Sequence, residues 1–389
     1  MVTHRRAFLK RTGASAAALT GLAGCVGGGG GTEYERKIGF VSSLTGSLST
    51  FGEGLRQGAE IALDDVNSEV DDEFEMVFAD TEGSVETARS VVQEQIENGC
   101  IALTGPVSSD VGVGLRDLLM QEEVPMVGPV ITNPEVTQDG TDYMYRTYGN
   151  GEQLALATLE YYENVGASNV SAIFADYSYG RKFKEYFEMH MADFGVELIS
   201  STFVPLGTDN FRPTLSNIDP DETDAFLGIY PGNNGVVLIE QAKDAGLIDG
   251  KYHIGGNLYG SNAFLSAMGN TVEGVGYHGV DRRTDAAADF ISKKQERFDE
   301  RAETIDFLGY DAAYTAMQAV VQAEEQTPQS TNTTLGEIEL PSISGFDINF
   351  NESGDNQTFR SSLLRWEIQD DSPVAAVEYK TSELPPRES

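Results

Sequence analysis

The sequence predicts an α/β protein of two lobes, each built on a doubly wound, mostly parallel sheet. Three observations carry this. From Arg36 onward, short apolar runs alternate with amphipathic stretches of helical length. The alternation breaks near Gly149 and then starts a second time. A chain of 389 residues, 40% hydrophobic, has room for two domains with sizeable cores.

In the first run "RKIGFVSSL" is a strand and "LRQGAEIALDDVN" a helix, with Leu55, Ala59, Ala62 and Val66 at helical spacing. "FEMVFAD", "CIALTG" and "VPMVGPVI" are further strands, separated by the helices "SVETARSVVQEQIEN" and "DVGVGLRDLLMQ". Strands and helices in strict alternation imply parallel pairing with helices on both faces. The second run has strands "NVSAIFA", "VELISSTFV", "DAFLGIY" and "KYHIGG", with helices "GRKFKEYFEMHMADF" and "NGVVLIEQAKDAG". A strand over 276–280 precedes two helices, around 285–302 and 308–324. The tail from Gly345 to Gln369 reads as a β-hairpin-like unit turning at Glu352 to Asp355. This order allows more than one crossing between the lobes.

Ligands of open parallel sheets bind at the carboxyl ends of the strands. Five stretches lie at such ends: "TGPVSSD" (104–110), Val130 to Asn133, "ADYSYG" (175–180), "GIYPGNNG" (228–235) and "IGGNLYGS" (254–261). In "MVGPVITNPEVTQDG", Pro134 ends a strand abruptly, because it lacks a donor and pushes Asn133 out of helical geometry. A hydroxyl and backbone groups are thereby presented at the strand end.

The first residues carry an address. "HRRAFLKRTGASAAALTGLAGC" resembles a twin-arginine export signal, with Arg5 and Arg6 paired, and "LAGC" resembles a lipobox that lipidates Cys25. Residues 1–24 are then the signal, and 25–35 a lipidated, glycine-rich tether. Lipid chains hold a protein at a membrane surface without spanning it, and no apolar run reaches the roughly 18 residues of a span.

A net charge of −36 excludes a general nucleic-acid binder. The acids are scattered along the chain, which fits solvation in concentrated salt rather than a cationic substrate. Four basic residues and no acidic one lie in 1–24, so the mature chain is more acidic still.

Cys100 is the other cysteine, at the head of an apolar run, and is expected buried as a small hydrophobe with no intramolecular disulfide. Asn169, Asn332, Asn351 and Asn356 head glycosylation sequons, which permit but do not establish glycans.

Signatures of catalysis, metal or cofactor are missing. His4, His190, His253 and His278 have neither metal-site nor triad spacing. "GVGYHG" (274–279) matches a dinucleotide motif literally, but its glycines fall inside a strand. "GEGLRQG" (52–58) is one residue too long, and better explained as the tight start of a packed helix.

From "KIGFVSSLTGSLSTFGEGLRQGAEIALDDVN" to "GFDINFNESGD" the chain resembles the type I solute-binding proteins of ABC importers. The likeness is to the leucine/isoleucine/valine-binding group with its amide- and urea-binding relatives. "PVITNPEVTQDG", "DYSYGRKF" and "FLGYDAAYTAMQAV" are the moderately specific pieces. The resemblance implies a type I periplasmic-binding-protein fold, whose lobes, joined by three crossovers, close on a small ligand. The lobes would comprise 36–146 with 281–340, and 147–280 with 341–382. By position Ser109, with Ser108 beside it, would hold a ligand carboxylate. The Val130 carbonyl and Thr132 would take the polar head, being left unpaired until ligand arrives. Tyr179 and Tyr230 would close over it from the far lobe, facing Phe51 and, more weakly matched, Phe307. Where branched-chain binders carry an acid for the ammonium, this chain places Asn257, which accepts a hydrogen bond but cannot neutralise a cation. Either Asp176 or another acid substitutes, or the ligand is an amide, urea or other weakly cationic solute.

A bland role stands beside each: Ser108 and Ser109 can cap the helix near Asp110, which does not exclude binding, and strand-end tyrosines can be core residues. The expected partners are a small solute, a membrane ABC permease and the lipid anchor, on the outer face of the membrane. A ligand-reporting receptor of the same fold and a secreted hydrolase are the alternatives.

Overall fold

The computed structural model describes residues 36–46, 48–137, 142–230 and 233–386. Arg5, Arg6, Cys25 and the tether lie outside them. The chain begins with β1 (Lys37–Ser42), α1 (Ser49–Asn67), β2 (Glu75–Asp80), α2 (Val85–Glu97), β3 (Ala102–Thr104), α3 (Ser109–Glu122), β4 (Met126–Gly128) and β5 (Met144–Arg146). These strands pair in the order β2-β1-β3-β4-β5, all parallel. The order reverses between β1 and β3, as a doubly wound sheet requires.

The same winding repeats in α4 (Gly151–Val165), β6 (Asn169–Ala175), α5 (Ser178–His190), β7 (Glu197–Val204), α6 (Arg212–Leu215), β8 (Ala225–Ile229), α7 (Asn233–Asp244), β9 (Tyr252–Gly255), α8 (Asn262–Met268) and β10 (Gly276–Gly279). Then come α9 (Asp285–Phe298), α10 (Thr304–Gln322), α11 (Pro328–Glu337), β11 (Leu340–Pro341), β12 (Asp347–Ile348), β13 (Ser362–Gln369) and β14 (Ser372–Lys380). The second sheet runs β7-β6-β8-β9-β10 in parallel, extended by β13 and β14 antiparallel at one edge. Its order reverses between β6 and β8.

α10 returns to the first sheet, packing along α1 and against β3 and β4. The two helices approach at glycines. A Cβ on Gly58 would lie 2.0 Å from the Asp306 carbonyl oxygen, and one on Gly309 2.3 Å from that of Leu55. So "GEGLRQG" serves helix packing, but against a helix that follows some 240 residues later. The chain therefore passes between the sheets after β5, after β10 and before β13.

Several expectations shift. α1 starts at Ser49 and α10 at Thr304, each earlier than the apolar spacing indicated, since the first turn of α1 is mostly small or polar and that of α10 buries Thr304 and Asp306 among its apolar residues. α4 went unread because it is buried on nearly every face and so lacks a polar stripe. Its start was nevertheless marked: Asn150 Oδ1 accepts from Gln153 N at 2.9 Å, and Gln153 Oε1 from Asn150 N at 2.8 Å, a capping box. The long hairpin is β13–β14, turning at Asp370 and Asp371, whose φ angles of 49° and 61° make a type I′ turn. The stretch expected as the hairpin turn is instead a tight loop against β5. Gly354 (φ +87°) accepts there from Arg146 N at 2.9 Å, and a Cβ on it would lie 2.0 Å from the Met144 carbonyl oxygen.

That loop delivers Asp355 to Arg146, itself 1% exposed. Arg146 Nε donates to Asp355 Oδ1 at 2.5 Å, and its Nη1 to the carbonyls of Ile131 (2.5 Å) and Asn133 (3.1 Å). Thr137 bonds both Arg146 and Asp355, and Asn150 Nδ2 donates to Asp355 Oδ2 at 3.2 Å. One buried ion pair thus ties the end of β4, the edge strand β5, the cap of α4 and the last crossover. Arg146→Met strands the Asp355 carboxylate in the interior, so urea titration should show a loss of about 3–5 kcal/mol. A loss below about 1 kcal/mol would show that the pair holds nothing together.

Candidate functional site

The two reversals of strand order nominate four stretches: residues 43–51 and 105–110 after β1 and β3, and those from 176 and 230 after β6 and β8. After β1 the chain is fastened by Asp80, which accepts from Leu44 N at 2.9 Å and Thr45 Oγ1 at 2.6 Å. After β3, Ser108 caps α3, its Oγ accepting from Val111 N at 3.4 Å. Ser109 Oγ accepts from Asn133 N at 3.3 Å, which joins the α3 terminus to the loop after β4. The capping role of Ser108 is therefore present, and Ser109 is a brace as well.

In that loop the carbonyls of Ile131 and Asn133 are taken by Arg146, and that of Thr132 by Gly151 N at 2.8 Å. Asn133 Oδ1 accepts from Glu135 N at 3.0 Å and opens a short 3-10 turn at Pro134. Most of the groups freed by the strand's end are thus satisfied within the chain. The Val130 carbonyl and the Thr132 hydroxyl are engaged by no hydrogen bond among the described residues, and Thr132 is half-buried.

Phe51 and Asn257 are brought together. They line a narrow crevice with Ser261, Glu303, Thr304 and Ile305. Phe51 comes from α1, Asn257 from the 3-10 turn after β9, and Glu303 from the start of α10. Burial, and next the neighbouring Asp306 carboxylate, push the Glu303 carboxyl up to about 7. The Asn262 N–H, which donates to Glu303 Oε1 at 2.8 Å, works the other way, as do the charges of Arg301 and Lys294. A wider groove is lined by Lys243, Lys251 and Arg365 at the opposite, amino-terminal ends of β9 and β10.

The other expected aromatics divide. Tyr179 is half-buried near the start of α5, edge-on to Tyr177 (6.1 Å) and Phe183 (5.9 Å). Tyr230 is 3% exposed and its hydroxyl is spent on the turn beside it, donating to the Pro205 carbonyl at 2.6 Å and accepting from Thr208 N at 3.1 Å. Phe307 is fully buried against Phe290, ring centres 4.6 Å apart. Asp176 is exposed and paired with Arg181 at 2.7 Å. These last three are placed as structural residues.

Sequence reasoning missed two. Burial raises the Tyr177 phenol far above its usual range, and Tyr179, Tyr259 and the Asp110 carboxylate add to the effect. Tyr177, at the N-cap position of α5 after β6, is thus within electrostatic reach of Asp110 in the first turn of α3. Glu303 lay inside the segment read as a link between helices. Its signal was the Glu-x-x-Asp spacing before an apolar run, seen in Asp306 Oδ2 accepting from Glu303 N at 2.7 Å.

His253, His278 and the Cys100 thiol are structural. His253 sits in a stack of Phe226 and Tyr259 and accepts from Gly276 N at 3.1 Å; burial lowers it to about 3. His278, between Thr158 and Ser361 at 3.0 Å each, is also lowered to about 3 by burial. "GVGYHG" lies in β10 and the turn before it. Cys100 is free and 1% exposed, its thiol pushed up to about 12 by burial. Asn356 is fully buried with its amide donating to the Thr147 and Asp347 carbonyls, which leaves that sequon no room for a glycan. No group of histidine, cysteine and carboxylate able to hold a metal, and no helix long and apolar enough to cross a membrane, occurs among the described residues.

A family model described as periplasmic binding protein matches residues 35–367. Leu/Ile/Val-binding protein BraC3 of Rhizobium johnstonii is 25% identical over 349 residues, 85% of this chain and 91% of the relative. A solute binding protein of an ABC transporter from Rhodopseudomonas palustris, solved with 3,4-dihydroxy benzoic acid, superposes with a TM-score of 0.78 at 18% identity, covering 90% of this chain and 98% of the other. The branched-chain amino acid transporter substrate binding protein LivJ from Streptococcus pneumoniae, solved with isoleucine, gives 0.76 at 18% identity, with 90% and 100% covered. The two solved structures share the fold. With the family model spanning both sheets and the last crossover, the chain belongs to the periplasmic binding protein family, a transporter solute-binding family rather than an enzyme class, and has its type I two-lobed fold.

Proposed function

We propose that this chain is an extracytoplasmic lipoprotein that captures a small polar solute between its lobes and hands it to an ABC permease, without chemistry of its own. The lobes are 36–146 with 281–340, and 147–280 with 341–382. One observation carries the reading: α1 of the first lobe and the turn after β9 of the second line a single crevice with the start of α10. Binding across two lobes couples occupancy to their relative position, which is what a permease can read.

Within the crevice and the loops beside it, Ser108, Ser109, the Val130 carbonyl and Thr132 form the polar grip. Phe51, Tyr177 and Tyr179 cover the rest. A carboxylate or amide head suits this set, since hydrogen bonds to a charged group contribute roughly 1.5–3 kcal/mol each. The leucine/isoleucine/valine names of the relatives, and the isoleucine and dihydroxybenzoate bound in the neighbours, support amino acids and small carboxylates as the first solutes to try. Arg5 and Arg6 direct export, Cys25 anchors the mature chain, and the net charge of −36 suits concentrated salt.

A thermal-shift screen over branched-chain amino acids, amides, urea and benzoates tests the binding reading, since ligand at 100 times its dissociation constant adds about 2.7 kcal/mol. For the solute found, Thr132→Val should weaken binding about five- to a hundredfold by calorimetry, equivalent to roughly 1–3 kcal/mol. Unchanged affinity would remove the loop after β4 from the site, and turnover of the solute would favour an enzyme. Anchoring has its own test: Cys25→Ala should move the protein from membranes to medium on fractionation, and retention with an uncut amino terminus would refute it.

A further inference from the structure

The crevice lining has a one-sided chemistry. Glu303 brings a carboxylate, Asn257 an amide, Ser261 and Thr304 hydroxyls, and Phe51 a ring face. Among the described residues no positively charged side chain lines it. Ser261 Oγ already accepts from Phe264 N at 3.1 Å, so the strong acceptors left are the Asn257 carbonyl and the second oxygen of Glu303. Arg301, the nearest cation along the chain, makes its hydrogen bonds elsewhere: its Nε donates to Asn262 Oδ1 at 2.8 Å, its Nη2 to the Gly260 carbonyl at 3.1 Å, and its guanidinium lies 5.2 Å from the Trp366 ring centre. Lys294 is committed to Asp306 at 3.2 Å and to Gln57. No ion pair engages Glu303 among the described residues, although it is only 8% exposed.

A buried carboxylate is costly unless a cation or several donors satisfy it. Here one backbone N–H does part of that work, and the remaining oxygen, an amide carbonyl and an aromatic face meet in one narrow space. That combination recognises an ammonium group: the carboxylate neutralises it, the carbonyl accepts a second N–H, and the ring contributes a cation–π contact. We infer that Glu303 is the charged partner for an ammonium-bearing solute, an α-amino acid or similar amine, with Asn257 and Phe51 completing the subsite. The inference rests on the solute-binding reading above. It removes the need for an acid at position 257, and Asp176 is no competitor because Arg181 holds it at the surface.

Proton linkage follows. The groups acting on Glu303 are Asp306 of α10, which raises it, and Arg301 of the link before α10 and Lys294 of α9, which lower it, while Arg282 acts on Arg301 and Asp306. With Glu303 near 7 in the unliganded protein, its ionised fraction grows about tenfold between pH 6 and pH 8. An ammonium that requires the ionised form should bind correspondingly better at the higher pH.

The test is calorimetry on the full mature chain with L-isoleucine and, separately, benzoate, at pH 6 and pH 8. L-Isoleucine should bind up to about tenfold more tightly at pH 8, and Glu303→Gln should weaken it at least tenfold and flatten the pH profile. Benzoate, which has no ammonium, should gain nothing from the higher pH. The Gln variant keeps an acceptor for the Asn262 N–H, and an unchanged melting temperature shows that its fold is intact. If it does not fold, the wild-type pH profile still decides. L-Isoleucine bound equally at both pH values, or equally by Glu303→Gln, overturns the inference and leaves solute binding standing. Binding of neither probe, nor of any solute in the wider screen, removes both readings.

Discussion

The Arg146–Asp355 pair is the constraint on which the loop after β4 and the cap of α4 depend. Its two residues are 209 positions apart in the chain and nearly enclosed. A buried pair of this kind does little for stability on its own, because desolvation offsets much of the attraction. What it contributes is a fixed position. By donating to the Ile131 and Asn133 carbonyls, Arg146 consumes the groups that the end of β4 would otherwise present on either side of Thr132. The loop that Pro134 breaks open is therefore fastened by its carbonyls on both sides of the Thr132 hydroxyl. Through Asn150 the same carboxylate reaches the cap of α4, the first helix of the second lobe. The loop after β4 and one of the crossovers share a support.

Repetition explains the other half of the architecture. Each parallel sheet winds in the same order and reverses at the equivalent point, so each lobe exposes loops of the same kind. The lobes are not equivalent where they meet. The first supplies helix starts and acceptors, at α3, at the loop after β4 and at α10. In the proposed site the second would supply the rings of Tyr177 and Tyr179 and the turn that carries Asn257, facing Phe51 of the first. A solute gripped by its polar end on one side and covered on the other would touch both.

Much of this was legible from local pattern. β6 and most parallel strands stand where their apolar runs place them, and the Ser108 cap and the interruption at Pro134 follow from residue chemistry alone. What stayed hidden depends on contacts distant in sequence. Gly58 and Gly309 look like ordinary helix weaknesses until the helices cross. Asp355 reads as a turn residue until Arg146 meets it. Glu303 reads as linker because its burial is made by a turn some 40 residues earlier. Tyr230 and Phe307 show the converse: their types suit a binding wall, but the fold spends the hydroxyl of one on a neighbouring turn and the ring of the other on its core. The β13–β14 hairpin was passed over although Asp370 and Asp371 mark it, because an Asp–Asp pair tolerates the left-handed region less conspicuously than Asn–Gly.

The central claim is that solute is held at the carboxyl ends of the sheets, between the lobes. Hydrogen–deuterium exchange of the mature chain, with and without a saturating solute from the binding screen, tests it most directly. Slowed exchange is predicted together at the first turns of α3 and α10, at residues 130–133 and at the turn over 257–260, with the outer helix faces unchanged. Protection confined to the groove of Lys243, Lys251 and Arg365, at the other end of the second sheet, would contradict the account.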